Sequence, residues 1–300
     1  MAVATGKITM LDAATVLALT SLTIYGLTQV LAKFAVGSVN ATTMVALNFT
    51  VSIPVYVFFL ICTLLIVSTD ELRFEYVIYG LIGAATARGG YYIYLEALES
   101  GPVTMVGSIT AAFPAITAAL AVTVLGETLK PVNAIGISVI IASMVLLSFA
   151  HGRSTHRSSF PRSAIFLSIA TLLIWGFGGV FIKLALSELP LVAYLGLYPF
   201  ILPPIAFAYL KHKKAKRENF FPRWTVPVIC AVMVAELWQL GYFAETAAVS
   251  EGAAAIVYPL ISAYPVVTIL AAHFILKEHL SKTDWALLAA VVLGILLTAL

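Results

Sequence analysis

GYYIYLEALESGPVTMVGSITAAFP, residues 90–114, and GYFAETAAVSEGAAAIVYPLISAYP, residues 241–265, are one pattern written twice. Gly90 aligns with Gly241, Tyr91 with Tyr242, Gly101 with Gly252, Phe113 with Tyr264 and Pro114 with Pro265. The repetition extends to both sides. IYGLTQVLAK (24–33) matches IWGFGGVFIK (174–183): an aromatic residue, a glycine, then a lysine seven residues on. LGETL (125–129) matches LKEHL (276–280), pairing Glu127 with Glu278, and Pro54 pairs with Pro204. Four blocks in one order, at an offset that drifts by a single residue, mark a duplicated unit.

Composition says where the unit lives. The 300 residues are 61% hydrophobic and 10% charged, with a mean hydropathy of +1.03. A soluble domain carries roughly 25% charged residues, so this chain lacks the polar groups to cover its own surface, and lipid must be part of its solvent. A spanning helix needs about 20 predominantly apolar residues. Windows of that kind fall at 12–35, 41–67, 74–98, 101–125, 131–150, 163–186, 190–210, 224–248, 252–276 and 282–300. The runs are continuous and rich in Ala and Leu rather than alternating, which argues against strands. The expectation is an all-α membrane protein of ten transmembrane helices.

Each half, residues 1–150 and 163–300, then holds five helices, joined by a polar basic linker, HGRSTHRSSFPR (151–162). Five is odd, so the second copy enters the membrane from the opposite face. Inverted repeats of this kind place a binding site near the midplane between the halves. The first window is too long for a secretory h-region and has no basic n-region, so it reads as part of the fold. Cys62 and Cys230 both fall within spans and read as inert small hydrophobes.

These blocks resemble the EamA-type family of the drug/metabolite transporter superfamily. The resemblance rests on the aromatic-Gly start with a lysine at the end of the first helix, the small-residue helix interrupted by a mid-span proline, and the following L-G-E-T-L. It covers nearly the whole chain, twice. It implies two inverted five-helix repeats and movement of small metabolites, often amino acids and often outward. No cofactor is implied.

Charge patterning and the resemblance disagree about orientation. Basic residues gather on the face away from the N-terminus, above all in KHKKAKR (211–217). The positive-inside rule would put that loop in the cytoplasm and both termini outside, whereas the resemblance implies termini inside. Anionic lipid is the expected partner of the 211–217 loop; nucleic acid is not.

Two ionisable residues sit at mid-span, Arg88 in the third window and Glu236 in the eighth. A central charge costs roughly 2.5–3.5 kcal/mol on insertion scales and normally faces a bundle interior or a wet cavity. At the repeat offset Arg88 corresponds to Gln239, three residues after Glu236, and positions i and i+3 share a helix face. The spacing therefore predicts that Arg88 and Glu236 meet or nearly meet across the centre. Two readings stand. In one, Arg88 takes a carboxylate and Glu236 an ammonium, as a zwitterionic amino acid requires. In the other they form an internal ion pair.

Tyr91, Tyr92, Trp238, Gln239 and Phe243 lie within about a turn of these charges and are candidate site walls; Tyr94 and Tyr242 read as packing or interfacial residues. Pro114 and Pro265 interrupt the fourth and ninth spans, and Pro54, Pro203 and Pro204 mark bends in the second and seventh, either as hinges or as static kinks. Glu245 is a second candidate, beside Glu236, for coupling to a proton; a counter-substrate is the other option. Lys33 and Lys183 read as snorkelling side chains, and Glu127 and Glu278 as loop or cap residues.

No G-x-x-x-x-G-K-[ST] or H-E-x-x-H motif occurs, so the chain offers no phosphate-binding loop or zinc-protease site of those kinds. Spans one and six lack the mid-helix glutamate on which small multidrug pumps depend. Arg88 alone is thin for a phosphate dianion. The leading expectation is a secondary carrier, not an enzyme, for an amino acid or related zwitterion. A sugar-phosphate, nucleotide-sugar or organic-anion exchanger is the alternative within the superfamily, and an intramembrane enzyme or channel the alternative outside it.

Overall fold

In a computed structural model, which describes residues 12–35, 38–101, 103–152, 161–277 and 279–300, the apolar windows become helices and no strand occurs among the described residues. The first half contains α1 (Ala13–Ala35), α2 (Ala41–Ile66), α3 (Phe74–Ser100), α4 (Val103–Thr110), α5 (Phe113–Thr123) and α6 (Pro131–Gly152). The second contains α7 (Arg162–Leu186), α8 (Leu191–Gly196), α9 (Tyr198–His212), the single turn α10 (Arg217–Phe220), α11 (Val226–Glu251), α12 (Ala254–Ser262), α13 (Pro265–Leu276) and α14 (Lys282–Thr298).

Among the described residues six helical stretches are long and apolar enough to cross a membrane: Ala13–Ala32, Ala41–Ile66, Arg162–Leu186, Leu191–His212, Val226–Glu251 and Ala254–Ile275. The other windows form helices that are shorter or more polar. Large apolar side chains such as Leu65, Phe166 and Phe274 point outward, each more than two-thirds exposed, as a lipid-facing surface requires.

Helix starts follow local chemistry. Asn40 caps α2 by accepting the Thr43 amide at 2.8 Å, and Ser281 and Asp284 form a capping box at α14. Both satisfy amides that the first helical turn leaves without a partner. The prolines act unevenly. Chain pairs break just before Pro114, between α4 and α5, and just before Pro265, between α12 and α13. Pro54 and Pro204, by contrast, lie inside continuous helices. The seventh span is interrupted at Leu197, ahead of Pro199, while Pro203 and Pro204, expected as bends, lie within α9.

The halves interlock. α3 packs along α7 and α1 along α11, while α6 packs on α14. Lipid supplies no hydrophobic drive between helices, so close association relies on small residues that let backbones approach. A Cβ added at Gly26 would meet the Tyr264 carbonyl oxygen at 2.7 Å and Val267 Cβ at 2.5 Å. At Gly176, the repeat equivalent, it would meet Ile116 Cβ at 2.8 Å and the Phe113 carbonyl oxygen at 3.3 Å. The same contact recurs because the same residues recur.

A second pair of equivalent contacts keys the halves together. Gly90 is covered by the Trp175 indole and Gly241 by the Tyr25 ring, each atom-to-Cβ approach being 2.5 Å. The aromatic residue of each repeat's first helix thus lies on the glycine of the other repeat's third helix.

Candidate functional site

Arg88 is 4% exposed and its guanidinium turns toward α2 and α9. It donates to the Tyr56 hydroxyl and, at 3.5 Å, to Asn48 Oδ1. Its Cζ lies 5.3 Å from the Tyr56 ring, 5.4 Å from Tyr198 and 5.9 Å from Tyr242. Tyr56 and Tyr198 stack with centroids 4.2 Å apart. The Tyr198 hydroxyl donates to that of Tyr242, which also lies 2.7 Å from the hydroxyl of Tyr194. A cation among ring faces gains about 0.5–2 kcal/mol per contact, more as water is excluded. Among the described residues no carboxylate lies within 4.0 Å of Arg88.

The other side of Arg88 opens on a cavity of about 100 Å³ between the two halves. Tyr25 and Trp238, with ring centroids 4.7 Å apart, form one wall; Tyr91 extends it, 5.8 Å from Trp238. Trp175 forms the opposite wall with Tyr94 at 5.5 Å and Phe113 at 5.7 Å. The helix breaks meet here: Thr110, Ala111 and Phe113 line the cavity from one half, Ile261, Ser262 and Tyr264 from the other. Chain interrupted at membrane depth is tolerated where protein or a cavity satisfies it. The Ile261 carbonyl, released by Pro265, accepts the Tyr264 amide at 3.1 Å.

Glu245 is the carboxylate of this cavity. Its Oε2 accepts the Tyr25 hydroxyl at 2.7 Å, and among the described residues no cation lies within 4.0 Å of it. The cavity lining therefore includes one guanidinium, Arg88, and one carboxyl group, Glu245, on walls rich in aromatic rings.

The expected Arg88–Glu236 contact is corrected. Glu236 is partly exposed, has no hydrogen-bond or ion-pair partner among the described residues, and does not line the cavity. The reason is packing: α3 and α11 pair with α7 and α1 rather than with each other. The face of α11 carrying Glu236, Gln239 and Phe243 turns toward α2, where Phe243 meets Tyr56 edge-on with centroids 6.0 Å apart.

Of the other expected site residues, Tyr91 and Trp238 line the cavity, whereas Tyr92, Gln239 and Phe243 do not. Tyr94 and Tyr242, read from sequence as packing residues, do line it. Asn48, Tyr56, Tyr194 and Tyr198 were not expected at all. A signal existed: Asn48, Ser52 and Tyr56 recur at intervals of four, as do Tyr194 and Tyr198, and such spacing marks one helix face.

Two interfacial residues act as caps. Lys183 Nζ donates to the Val249 and Gly252 carbonyls at 2.9 and 2.8 Å, closing the end of α11. Glu127 accepts the Ala254 and Ala255 amides at 2.9 and 2.8 Å, opening α12. Lys183 is thus a capping rather than a snorkelling side chain. The Lys33 side chain and Glu278 lie outside the described residues.

The duplicated unit with its interlocked first and third helices matches a family model, that of the EamA-like transporter family, twice, over residues 13–149 and 162–300. The chain belongs to the EamA-like transporter family. It is therefore an integral membrane protein, a transporter of the drug/metabolite superfamily. A solved crystal structure is similar to this EamA-like chain with a TM-score of 0.75 at 19% identity, covering 96% of this chain and 98% of its own. At that identity the likeness establishes the fold. No curated protein matches the chain.

Proposed function

We propose that this EamA-like protein is a secondary carrier for a small zwitterion, an amino acid or a close relative, bound in the cavity between the repeats. The observation that carries the reading is the layout of that cavity: Arg88 and Glu245 are its basic and acidic side chains, and among the described residues neither has an ion-pair partner within 4.0 Å. Arg88 presents a planar donor fork suited to a carboxylate. Glu245, with the faces of Tyr25 and Trp238 beside it, suits an ammonium. A volume of about 100 Å³ falls below the roughly 300–1,000 Å³ of sites for drug-sized molecules, which favours a small metabolite.

In this reading ten crossings form two five-helix repeats of opposite orientation, and the cavity opens to each face in turn as the repeats rock. The interrupted spans at 110–113 and 261–264 give the rocking its joints. Substrate displaces nothing held by Glu245 except the Tyr25 hydroxyl, so loading and release require little rearrangement of fixed charge. The direction is outward, in keeping with the family resemblance, and the membrane is the cell membrane with the 211–217 loop on its cytoplasmic face. Glu245 is also the carboxylate placed to exchange a proton for substrate.

Counter-flow in proteoliposomes tests the reading. Vesicles preloaded with a neutral amino acid should accumulate labelled amino acid from outside in a saturable manner. Organic anions lacking an ammonium should neither drive nor inhibit that uptake. Accumulation of organic anions but of no zwitterion would reject it and point to an anion exchanger.

A further inference from the structure

Arg88 has a second face, away from the cavity, and the side chains around it are short of partners. Ser52 Oγ, the Tyr92 hydroxyl and both polar atoms of the Gln239 amide are buried and make no hydrogen bond. All three residues are at least 98% buried. They belong to one region. Ser52 stands one turn from Asn48 and one turn from Tyr56 on the same face of α2, and both of those neighbours hold the guanidinium. Tyr92 stands one turn after Arg88 on α3. Gln239 lies on the face of α11 that turns to α2, one turn before Phe243, whose ring meets Tyr56.

Buried polar groups in folded proteins are almost always paired, and a cluster of unpaired ones marks a bound water or ion. The sign of the occupant follows from the donors. Two hydroxyls and an amide NH₂ are able to donate beside the Arg88 guanidinium, and the one obligate acceptor of the set, Gln239 Oε1, can be served by a hydroxyl rather than by the occupant. The region also carries a full positive charge with no carboxylate within 4.0 Å of it among the described residues; Glu236 stands on the α11 face that carries Gln239 but makes no ion pair with Arg88. An unpaired buried charge is expensive, far more so than an unpaired hydroxyl.

We propose that the cluster of unpaired polar groups on α2, α3 and α11 binds a small monovalent anion, chloride or a carboxylate group, beside the Arg88 guanidinium and away from the cavity. The site does not depend on which substrate the cavity takes. It gives Arg88 a counter-ion when the cavity holds none, and it makes anion occupancy a determinant of the carrier's stability.

The shared chemistry is a monoanion, and the titration separates its sources. Purified full-length protein equilibrated in sodium gluconate is titrated at constant ionic strength with sodium chloride, and in parallel with sodium acetate, while melting is followed by intrinsic fluorescence. The expected result is a saturable rise in melting temperature with chloride, with acetate or with both. Saturation by chloride assigns the site to a free inorganic anion. Saturation by acetate alone assigns it to a carboxylate. Ser52→Ala and Gln239→Leu should weaken the apparent affinity about tenfold each, the effect of losing one hydrogen bond to a charged partner. Both variants should melt near the wild type in gluconate, because removing an unpaired buried polar group is nearly neutral. Melting curves that respond alike to chloride, acetate and added gluconate would overturn the proposal, leaving water to satisfy the donors. So would a saturable response that neither variant shifts.

Discussion

Arg88 is the residue on which position and chemistry agree most closely. Its guanidinium donates to Tyr56 and Asn48 and lies 5.3–5.9 Å from the Tyr56, Tyr198 and Tyr242 ring centroids, an arrangement that depends on a planar, delocalised cation. Arg88→Lys keeps the charge but cannot reach Tyr56 and Asn48 together. The expected outcome is a folded protein whose substrate affinity in counter-flow falls at least about tenfold, roughly 1.4 kcal/mol. Unchanged affinity in Arg88→Lys would mean that charge alone matters there. The importance of Arg88 was legible in the sequence, because a mid-span cation has few structural excuses. Its partners were not. Tyr56 and Tyr198 lie in apolar spans with no charge beside them to mark them, and the contacts they make cross 32 residues of chain in one case and the boundary between the halves in the other. Glu245 was ranked below Glu236 because depth along a span is readable from sequence whereas the direction of a helix face is not. The hydrogen bond that identifies Glu245 joins residues 220 apart.

Among the elements, the glycines carry the interlock. Gly26→Ala and Gly176→Ala would each push a methyl into backbone or a branched side chain of the opposing half-helix. Each is expected to destabilise the protein by about 1–3 kcal/mol through overpacking. Gly107→Ala is the control: no heavy atom lies within 4 Å of its added Cβ, and a helical Gly→Ala change should be neutral or stabilising by up to about 1 kcal/mol. Thermal melts of the three variants decide the matter, and equal melting temperatures would remove the small-residue account of packing. These contacts were foreshadowed by the repeat, since Gly26 and Gly176 align, but their partners emerged only when α1 and α7 were seen against α13 and α5.

Loss of the Glu127 cap should weaken α12 in a comparable way. Glu127→Ala is expected to lower stability by about 0.5–2 kcal/mol, the range for N-cap removal, and hydrogen exchange should speed up first at Ala254 and Ala255. At the membrane edge, Lys213 binds Glu96 and, at 3.6 Å, Glu99. The hydrogen bond to Glu96 is the main reason its ammonium is held above the usual lysine value, with the charges of Glu96 and Glu99 adding to it and partial burial opposing. A raised folded-state value means the contribution is fully present below the unfolded lysine value and fades only as pH rises through the folded one. Lys213→Met should therefore lower the melting temperature by the same small amount at about pH 6 and about pH 9, well below that range. A penalty that vanishes by about pH 9 would contradict the assignment.

For the whole molecule, duplication is the organising fact. One unit of sequence, used twice, supplies the paired glycine contacts, the paired aromatic keys and the paired helix breaks that open on one cavity. The symmetry is incomplete where chemistry enters. Arg88 has Gln239 as its equivalent, and Glu245 has Tyr94, so each half contributes one charge and the two differ in sign. A duplicated scaffold with an unduplicated charge pair can rock symmetrically while recognising a substrate with two different ends. Continuous apolar windows and internal alignment were enough to read the helical membrane fold and its two repeats. The side-chain directions that turn Glu236 away and Glu245 inward required the three-dimensional packing of α1 against α11.

The central claim is that substrate binds between Arg88 and Glu245. Counter-flow of a labelled amino acid in proteoliposomes bearing wild type, Glu245→Gln or Glu236→Gln at matched protein density tests it most directly. The account predicts that Glu245→Gln loses at least about tenfold in apparent affinity, while Glu236→Gln transports like the wild type. Full transport by Glu245→Gln together with loss in Glu236→Gln would contradict it.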